Sequence, residues 1–328
     1  MNTLKEKRDK AMMLGGEAAI GKRHAKGLLT ARERIELLVD KGSFHELDMF
    51  VQSLSNDASD ETPGDGVITG TAKICGHTVC IFSQDFTVLG GSLGISHAHK
   101  ITKVQDLALK LRCPIIGIND SGGARIQDGV DALAGYGEIF FKNTQLSGVV
   151  PQISVILGPC AGGAAYSPAL TDFVFMVDGI SKMFLTGPAV IETVMGETIS
   201  QEDLGGAKVH AEKAGTAHFF ANSEKEALEQ VRDLIDMLKS EPKPANSKRK
   251  HKSIQEIIPQ DGKMPYDVRE VITELVDNDI IEVHKLFAQN IVCAFGHIDG
   301  KLVGIVANQP YYLAGALDAD AADKWHGI

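Results

Sequence analysis

Residues 151–177 read PQISVILGPCAGGAAYSPALTDFVFMV. The opening PQISVIL has the apolar run of a buried strand, and FVFMV has that of another. Between them, residues 158–169 are almost bare, with one thiol, one phenol and one hydroxyl among glycines, alanines and prolines. GGAAYSPALTD predicts a short helix. Strand, glycine turn, helix, strand is the unit of an α/β fold. The bare segment has two readings. It is either a close strand–helix contact or working backbone. A strand ending in glycines before a helix leaves N–H groups without intrahelical partners, and the helix dipole adds partial positive charge there. Gly162 and Gly163 lack a Cβ, so a carbonyl oxygen can come close and an oxyanion can be held. Cys160 reads as packing, because no histidine stands near it in sequence to activate it.

Outward from this stretch the alternation continues. Residues 3–40 read as helices joined by a basic connection, GKRHAKG, with Thr30 and Glu33 as a capping box opening ARERIELLVD. GVITGTAKICGHTVCIFSQD (66–85) reads as two strands around a Gly76–His77 turn. Helices are expected over 95–112, 128–146 and 223–239, and CPIIGIND is expected to be a buried strand. NDSGGARIQ (119–127) repeats the pattern of strand, glycines and helix. Its DSGG tetrapeptide also surrounds the nucleophile of chymotrypsin-like proteases, but those are β-barrels. Backbone donors at Gly122, Gly123 and Ala124 are the better candidates. Arg125 either holds a phosphate or pairs with a carboxylate. LGGSLG (89–94) does not have the spacing of a dinucleotide fingerprint. The cluster Lys22, Arg23, Lys26, Arg32 and Arg34 either meets a nucleotide phosphate or forms a solvated helical face.

Composition narrows the classes. The chain has 328 residues, 44% hydrophobic and 23% charged, with a net charge of −10. That size suggests about two domains, and the acidic balance argues against nonspecific binding to nucleic acid or anionic membrane. No apolar run reaches the roughly 18 residues of a membrane span, and the charged N-terminus lacks the apolar core of a secretory leader. The five cysteines form no C-x-x-C, so reduced thiols and a cytoplasmic protein are expected. Beyond His97 and His99 the eleven histidines show no ligand spacing, and no metal site is expected.

KSEPKPANSKRKHKS (239–253) reads as a solvated linker. After it the chain repeats itself. ICGHTVCIFSQDFTVLGGSL (74–93) aligns without gaps on IDGKLVGIVANQPYYLAGAL (298–317), with seven identities in twenty, and RERIELLVD (32–40) matches REVITELVD (269–277). Two copies of one domain are therefore expected, the second breaking off soon after its opening hairpin. Its strand edges would need a partner.

DFTVLGGSLG, INDSGGARIQDGVDALAGYGEIFF, SGVVPQISVILGPCAGGAAYSPALTDF, MFLTGPAVI and EDLGGAKVH together resemble the carboxyltransferase subunits of biotin-dependent acyl-CoA carboxylases and decarboxylases. Propionyl-CoA carboxylase β chains and methylmalonyl-CoA decarboxylase α chains are the members most alike. The resemblance implies an α/β crotonase-like superhelix of ββα units. It implies a complete carboxyltransferase domain over 1–238, a linker over 239–264 and the start of a second domain over 265–328, so a C-terminally truncated member is expected. It implies transfer of a carboxyl group between biotin, carried on a separate protein, and the α-carbon of an acyl-CoA such as propionyl- or methylmalonyl-CoA, through enolates held in backbone oxyanion holes. Gly162 and Gly163 would hold the thioester oxygen, with Ala164 beside them. Gly90, Gly91, Ser121, Gly122, Gly123, Ala124 and Arg125 would line the CoA site. The implied partners are a biotin carboxyl carrier protein, biotin carboxylase or membrane decarboxylase subunits, and further copies in a homo-oligomer. In the family the hole for biotin lies in the C-terminal half. "WHGI" does not continue the family's pattern after DADAADK. Two other readings stand beside this one. The chain is a non-catalytic remnant that binds acyl-CoA or joins an oligomer, or one crotonase-like domain acts on acyl-CoA alone. The last needs a side-chain acid or base near Gly162, and none stands out in the sequence.

Overall fold

The computed structural model describes residues 3–54, 62–239, 253–262, 264–277 and 279–326. Most of the expected linker, residues 240–252, lies outside them. The elements run α1 (Leu4–Met13), α2 (Glu17–His24), α3 (Ala31–Leu38), β1 (His45–Leu47), β2 (Val67–Ile74), β3 (His77–Gln84), α4 (Ile95–Leu111), β4 (Ile115–Ser121), α5 (Val130–Leu146), β5 (Gln152–Ala161), α6 (Gly163–Ala169), β6 (Phe173–Val177), β7 (Lys182–Phe184), α7 (Pro188–Met195), α8 (Gln201–Gly205), β8 (Phe219–Ala221) and α9 (Glu224–Lys239). They continue as α10 (Ile254–Ile257), α11 (Val268–Leu275), β9 (Ile281–Val283), β10 (Ile291–Ile298), β11 (Lys301–Asn308) and α12 (Ala319–His326). Residues 1–209 with 220–232 form one compact unit, and 210–219 with 233–328 form another.

The first unit is built on an eight-stranded sheet ordered β1-β2-β3-β4-β5-β6-β8, with β7 pairing β5 beyond β6's reach. β1, β2 and β3 are antiparallel, whereas β3, β4, β5 and β6 are parallel. Every residue of β4 is buried, which is why its first four residues, IIGI, are apolar without alternation. The β2–β3 hairpin turns one residue earlier than the sequence suggested. Ile74 pairs His77, leaving Cys75 (φ +50°) and Gly76 (φ +81°) at the tip. Two consecutive left-handed residues make the turn whose twist matches the strands, and glycine suits the second place. Thr30 and Glu33 form the expected capping box on α3.

The second unit repeats the opening of the first in detail. Its sheet is β11-β10-β9, with Ile298 paired to Lys301 as Ile74 is to His77. Asp40 accepts the N–H groups of Cys75 (3.1 Å) and Gly76 (2.8 Å), and Asp277 accepts those of Asp299 (3.1 Å) and Gly300 (2.7 Å). Arg32 pairs with Glu46 at 2.9 Å and Arg269 with Glu282 at 2.8 Å. A buried lysine recurs as well. The ammonium of Lys100 donates to the carbonyls of Gly64 and Val67, and that of Lys324 to those of Phe287, Ala288 and Ile291. Backbone carbonyls take the place of a counter-ion in both copies, and burial pulls Lys100 down to about 8.

Within the second unit the rings of His218 and His284 stack at 4.3 Å, and the His284 N–H donates to the His218 carbonyl at 2.8 Å. Burial holds His218 down to about 3 and His284 to about 4, the latter helped by the charge of Lys324. The folded unit therefore keeps both rings neutral, while the unfolded chain protonates them near pH 6.5. Below that pH the unfolded state binds protons the folded state refuses, so stability falls from about pH 6.5 toward pH 4. Trp325, the chain's single tryptophan, lies in α12 of this unit. Urea melts followed by its fluorescence are expected to lose midpoint on going from pH 7.5 to 4.5, and His284→Phe is expected to lose less. An equal loss in the variant would remove the histidine pair as the cause.

Candidate functional site

The C-terminal ends of β4 and β5 lie side by side, Ser121 opposite Cys160, and both strands run straight into the glycine segments. Their ends are anchored by buried charge. The Asp120 Oδ2 accepts from Arg23 (2.7 Å) and from Arg34 (2.8 Å). Arg34 also pairs with Glu224 at 2.7 Å and donates to the Leu157 carbonyl on β5. Burial pushes the Asp120 carboxyl up, and the two guanidiniums offset part of that; the same carboxylates raise Arg34 against its own burial. The basic cluster thus divides. Arg34 is fully buried, Arg23 is nearly so and lines the cleft beside Asp120, and Arg32 is paired with Glu46, so these three are not a solvated face. Lys22 and Lys26 remain exposed.

At the end of β5 each glycine has its own cause. A Cβ on Gly158 would lie 2.0 Å from the Asp120 Oδ1, so packing alone demands glycine there. Gly162 sits at φ +58°, ψ −125°, a conformation open essentially only to glycine. Its N–H is already engaged, donating to the Phe184 carbonyl at 3.2 Å. A Cβ on Gly163 would lie 2.8 Å from the Tyr136 ring. The N–H groups of Gly163 and Ala164 open α6 and meet no acceptor among the described residues, since the first return bond of the turn is Ala165 N–H to the Gly162 carbonyl. The amides left without an acceptor at this turn are therefore those of Gly163 and Ala164. Gly162 shapes the turn instead of donating.

The other two glycine segments come together beside this turn. Gly122 donates to the Gly90 carbonyl (3.0 Å), Leu93 to Gly123 (2.9 Å) and Arg125 to Leu93 (2.9 Å). The Gly123 N–H donates to the Ser121 hydroxyl at 3.2 Å, and a Cβ on Gly123 would lie 2.8 Å from the Ala161 carbonyl. Gly91 is buried at φ +63°, with the Asp120 carbonyl where a Cβ would stand, and its N–H is taken by Val88. The structure brings together the segments named from sequence, but several of their amides are not free. The amides of Gly91, Gly122 and Gly123 are spent on stitching the loops together. Ser121 is fully buried, and Ala124 and Gly90 are half-buried. Arg125 is buried too, donating to Asp65 (2.6 Å) and to the Ser92 carbonyl (2.9 Å), so of its two readings the carboxylate pair is the one realised. Asp65 and Arg125 were visible in the sequence, but nothing local joins residues 60 positions apart.

A cleft of about 510 Å³ opens beside the β5 end, lined by Lys22, Lys26, Phe86, Gly158, Pro159 and Ile180 among others. Cys160, next in the chain, is fully buried, and burial pushes its thiol up, which suits packing and not nucleophilic work. Among the described residues no group of three or more His, Cys, Asp or Glu could hold a metal, and no helix is long and apolar enough to cross a membrane.

A carboxyl transferase domain matches residues 22–326, and the chain belongs to that family. It is 52% identical to the propionyl-CoA carboxylase beta chain of Saccharopolyspora erythraea over 96% of this chain and 61% of that one. It is also 52% identical to the methylmalonyl-CoA decarboxylase subunit alpha of Veillonella parvula, over 98% of this chain and 65% of that one. A solved structure of transcarboxylase 12S with methylmalonyl-coenzyme A bound superposes with a TM-score of 0.94 at 42% identity, covering 100% of this chain and 66% of that one. The fold is thus the α/β crotonase-like one expected, and the chain spans a little under two thirds of the length of these relatives.

Arg34, fully buried, pairs with two carboxylates, Asp120 and Glu224. Breaking such a buried pair costs about 3–5 kcal/mol. Arg34→Met is expected to lower the unfolding free energy read from urea melts by an amount in that range. Arg23→Met, which leaves Asp120 its bond to Arg34, is expected to lower it by clearly less. Equal effects would mean that the network does not centre on Arg34.

Proposed function

We propose that this chain supplies the acyl-CoA half of a biotin-dependent carboxyltransferase, polarising the thioester of propionyl- or methylmalonyl-CoA. The observation that carries this is the unpartnered pair of N–H groups at Gly163 and Ala164, held at the end of β5 by the glycine-only conformation of Gly162. Loss of a proton or a carboxylate from the α-carbon moves charge onto the thioester oxygen. Donors already aimed at that oxygen cost no reorganisation, and each is worth about 3–4 kcal/mol in the transition state. No side chain need move a proton to this atom. The cleft suits the rest of the ligand, because Lys22 and Lys26 have no ion-pair partner among the described residues and can meet the phosphates of CoA. Gly158 and Pro159 line the cleft three residues before the donor turn, so a pantetheine arm has a short path along β5.

The relatives' names support the acyl class, and biotin on a carrier protein comes with the family. This chain's residues fit the thioester side only. In the second unit the described residues end at the hairpin and α12, with no counterpart of the β5–Gly162–α6 turn that a biotin carbonyl would need. The biotin carrier, the carboxylase or decarboxylase subunits and further copies of the chain are the partners this reading calls for. The same observation favours a second reading, in which the chain binds acyl-CoA without transferring a carboxyl group.

One experiment separates them. Calorimetric titration with propionyl-CoA and with CoA is run beside carboxyl transfer from methylmalonyl-CoA to a biotinylated carrier. The first reading expects tighter binding of the thioester than of CoA together with transfer, and the second expects the binding alone. Gly162→Val, strained at φ +58°, is expected to erase the thioester's advantage and any turnover. Equal affinity of wild type for propionyl-CoA and CoA would sink the oxyanion assignment.

A further inference from the structure

Tyr136 stands behind the donor turn and has no part in the reading above. It is 4% exposed on α5, and its ring carbons lie 2.8–3.0 Å from where a Cβ of Gly163 would be. The ring cannot withdraw. One residue earlier a Cβ on Gly135 would lie 2.6 Å from the Ala98 Cβ, so α5 is pressed against α4 at that level. On its other flank the Tyr136 ring meets Phe140 at 5.8 Å, and Phe140 meets Tyr166 of α6 at 5.9 Å. The phenol makes no hydrogen bond by geometry. Burial pushes it up, the Ser121 side chain is the polar neighbour that pulls it partly back, and Cys160 is the further group that acts on it. One side chain therefore stands against the first residue of α6, with Ser121 and Cys160 at the ends of β4 and β5 acting on its hydroxyl.

We propose that Tyr136 is a positioning residue for the thioester site, its ring fixing the height of the Gly163 and Ala164 N–H groups above the sheet. This rests on the oxyanion reading of those donors. The physical argument is one of stops. Gly163 has no side chain with which to brace itself, and Gly162 is the most permissive residue in the turn. Something rigid must set how far α6 sinks toward α5, and a flat ring pinned at Gly135 does so. A smaller side chain leaves a void into which the first turn of α6 can settle, and a misplacement of about 1 Å at reacting groups can cost about 100-fold in rate. The hydroxyl, unbonded, adds nothing to the stop.

The test reads donor placement directly. Propionyl-CoA carrying ¹³C at the thioester carbonyl is bound to the full chain, and the shift of that carbon is compared with free ligand. Wild type is expected to show a downfield shift, as donors polarise the carbonyl. Tyr136→Phe, which keeps the ring, is expected to keep that shift. Tyr136→Leu is expected to lose at least half of it while its affinity for CoA, which has no thioester carbonyl, stays within about twofold of wild type. A full shift in Tyr136→Leu overturns the proposal, and so does a loss in Tyr136→Phe as large as in Tyr136→Leu. Absence of any shift in wild type overturns the oxyanion reading and this inference with it, so the two failures are told apart. Should Tyr136→Leu fail to bind CoA, Phe140→Leu takes its place. That change removes the ring's lateral support, and a reduced shift supports the stop whereas an unchanged one overturns it.

Discussion

Arg34 is the constraint on which the rest of the first unit hangs. It is fully buried and spends its guanidinium on Asp120 at the end of β4, on the Leu157 carbonyl in β5 and on Glu224 at the start of α9. Three elements that meet nowhere else in sequence are thereby held at the C-terminal ends of the central strands, where open α/β sheets present their ligand sites. Replacing such a network with apolar residues of equal volume can be neutral for stability, so its worth is better sought in where it puts things. It puts the ends of β4 and β5 level, and both glycine segments start from those ends.

From that level start the glycines sort by cause. Gly158 is bare because Asp120 occupies the space, Gly91 because the Asp120 carbonyl does, and Gly123 because the Ala161 carbonyl does. These are consequences of close packing, at Gly158 against the Asp120 carboxylate and at the other two against backbone carbonyls. Gly162 is different, since the nearest atom to a Cβ there is the Leu185 carbonyl at 3.9 Å and only the backbone angles exclude a side chain. Bare sequence thus had two causes within five residues, close packing at Gly158 and a glycine-only backbone conformation at Gly162.

Much of the fold was legible because its signals are local. Apolar runs marked β4, β5 and β6, Thr30 and Glu33 marked the start of α3, and seven identities marked the second copy. The site was legible only as segments. Whether an amide is free depends on a carbonyl that folding brings from elsewhere. The Gly162 N–H is spent on Phe184, 22 positions on, and that of Gly122 on Gly90, 32 positions back. Arg23 and Arg34 read as either a phosphate site or a solvated face, because basic residues are usually exposed. Their carboxylate is 86 or more positions away, beyond any periodicity. Lys100 and Lys324 were missed for the same reason, and only the backbone carbonyls around them show that the two copies share a buried cation.

The repeat also shows what a donor turn requires. In the first unit, loop 89–93 is fixed by bonds to Gly122, Gly123 and Arg125 and lies largely buried. The second copy keeps the loop's backbone, with Leu313 at φ +48° against +47° for Leu89, and it even holds Ala314 at +50° where the first copy has glycine. Yet in that copy the groups matching the Gly90 carbonyl and the Leu93 N–H and carbonyl, on Ala314 and Leu317, meet no partner among the described residues and are exposed. The loop's shape therefore does not come from the strand it would serve. The Asn308 and Asn290 side chains hold it there, donating to the Gly315 and Ala316 carbonyls. What closes such a loop into a wall is the parallel strand beside it, and among the described residues that strand and its glycine turn lie in the first unit.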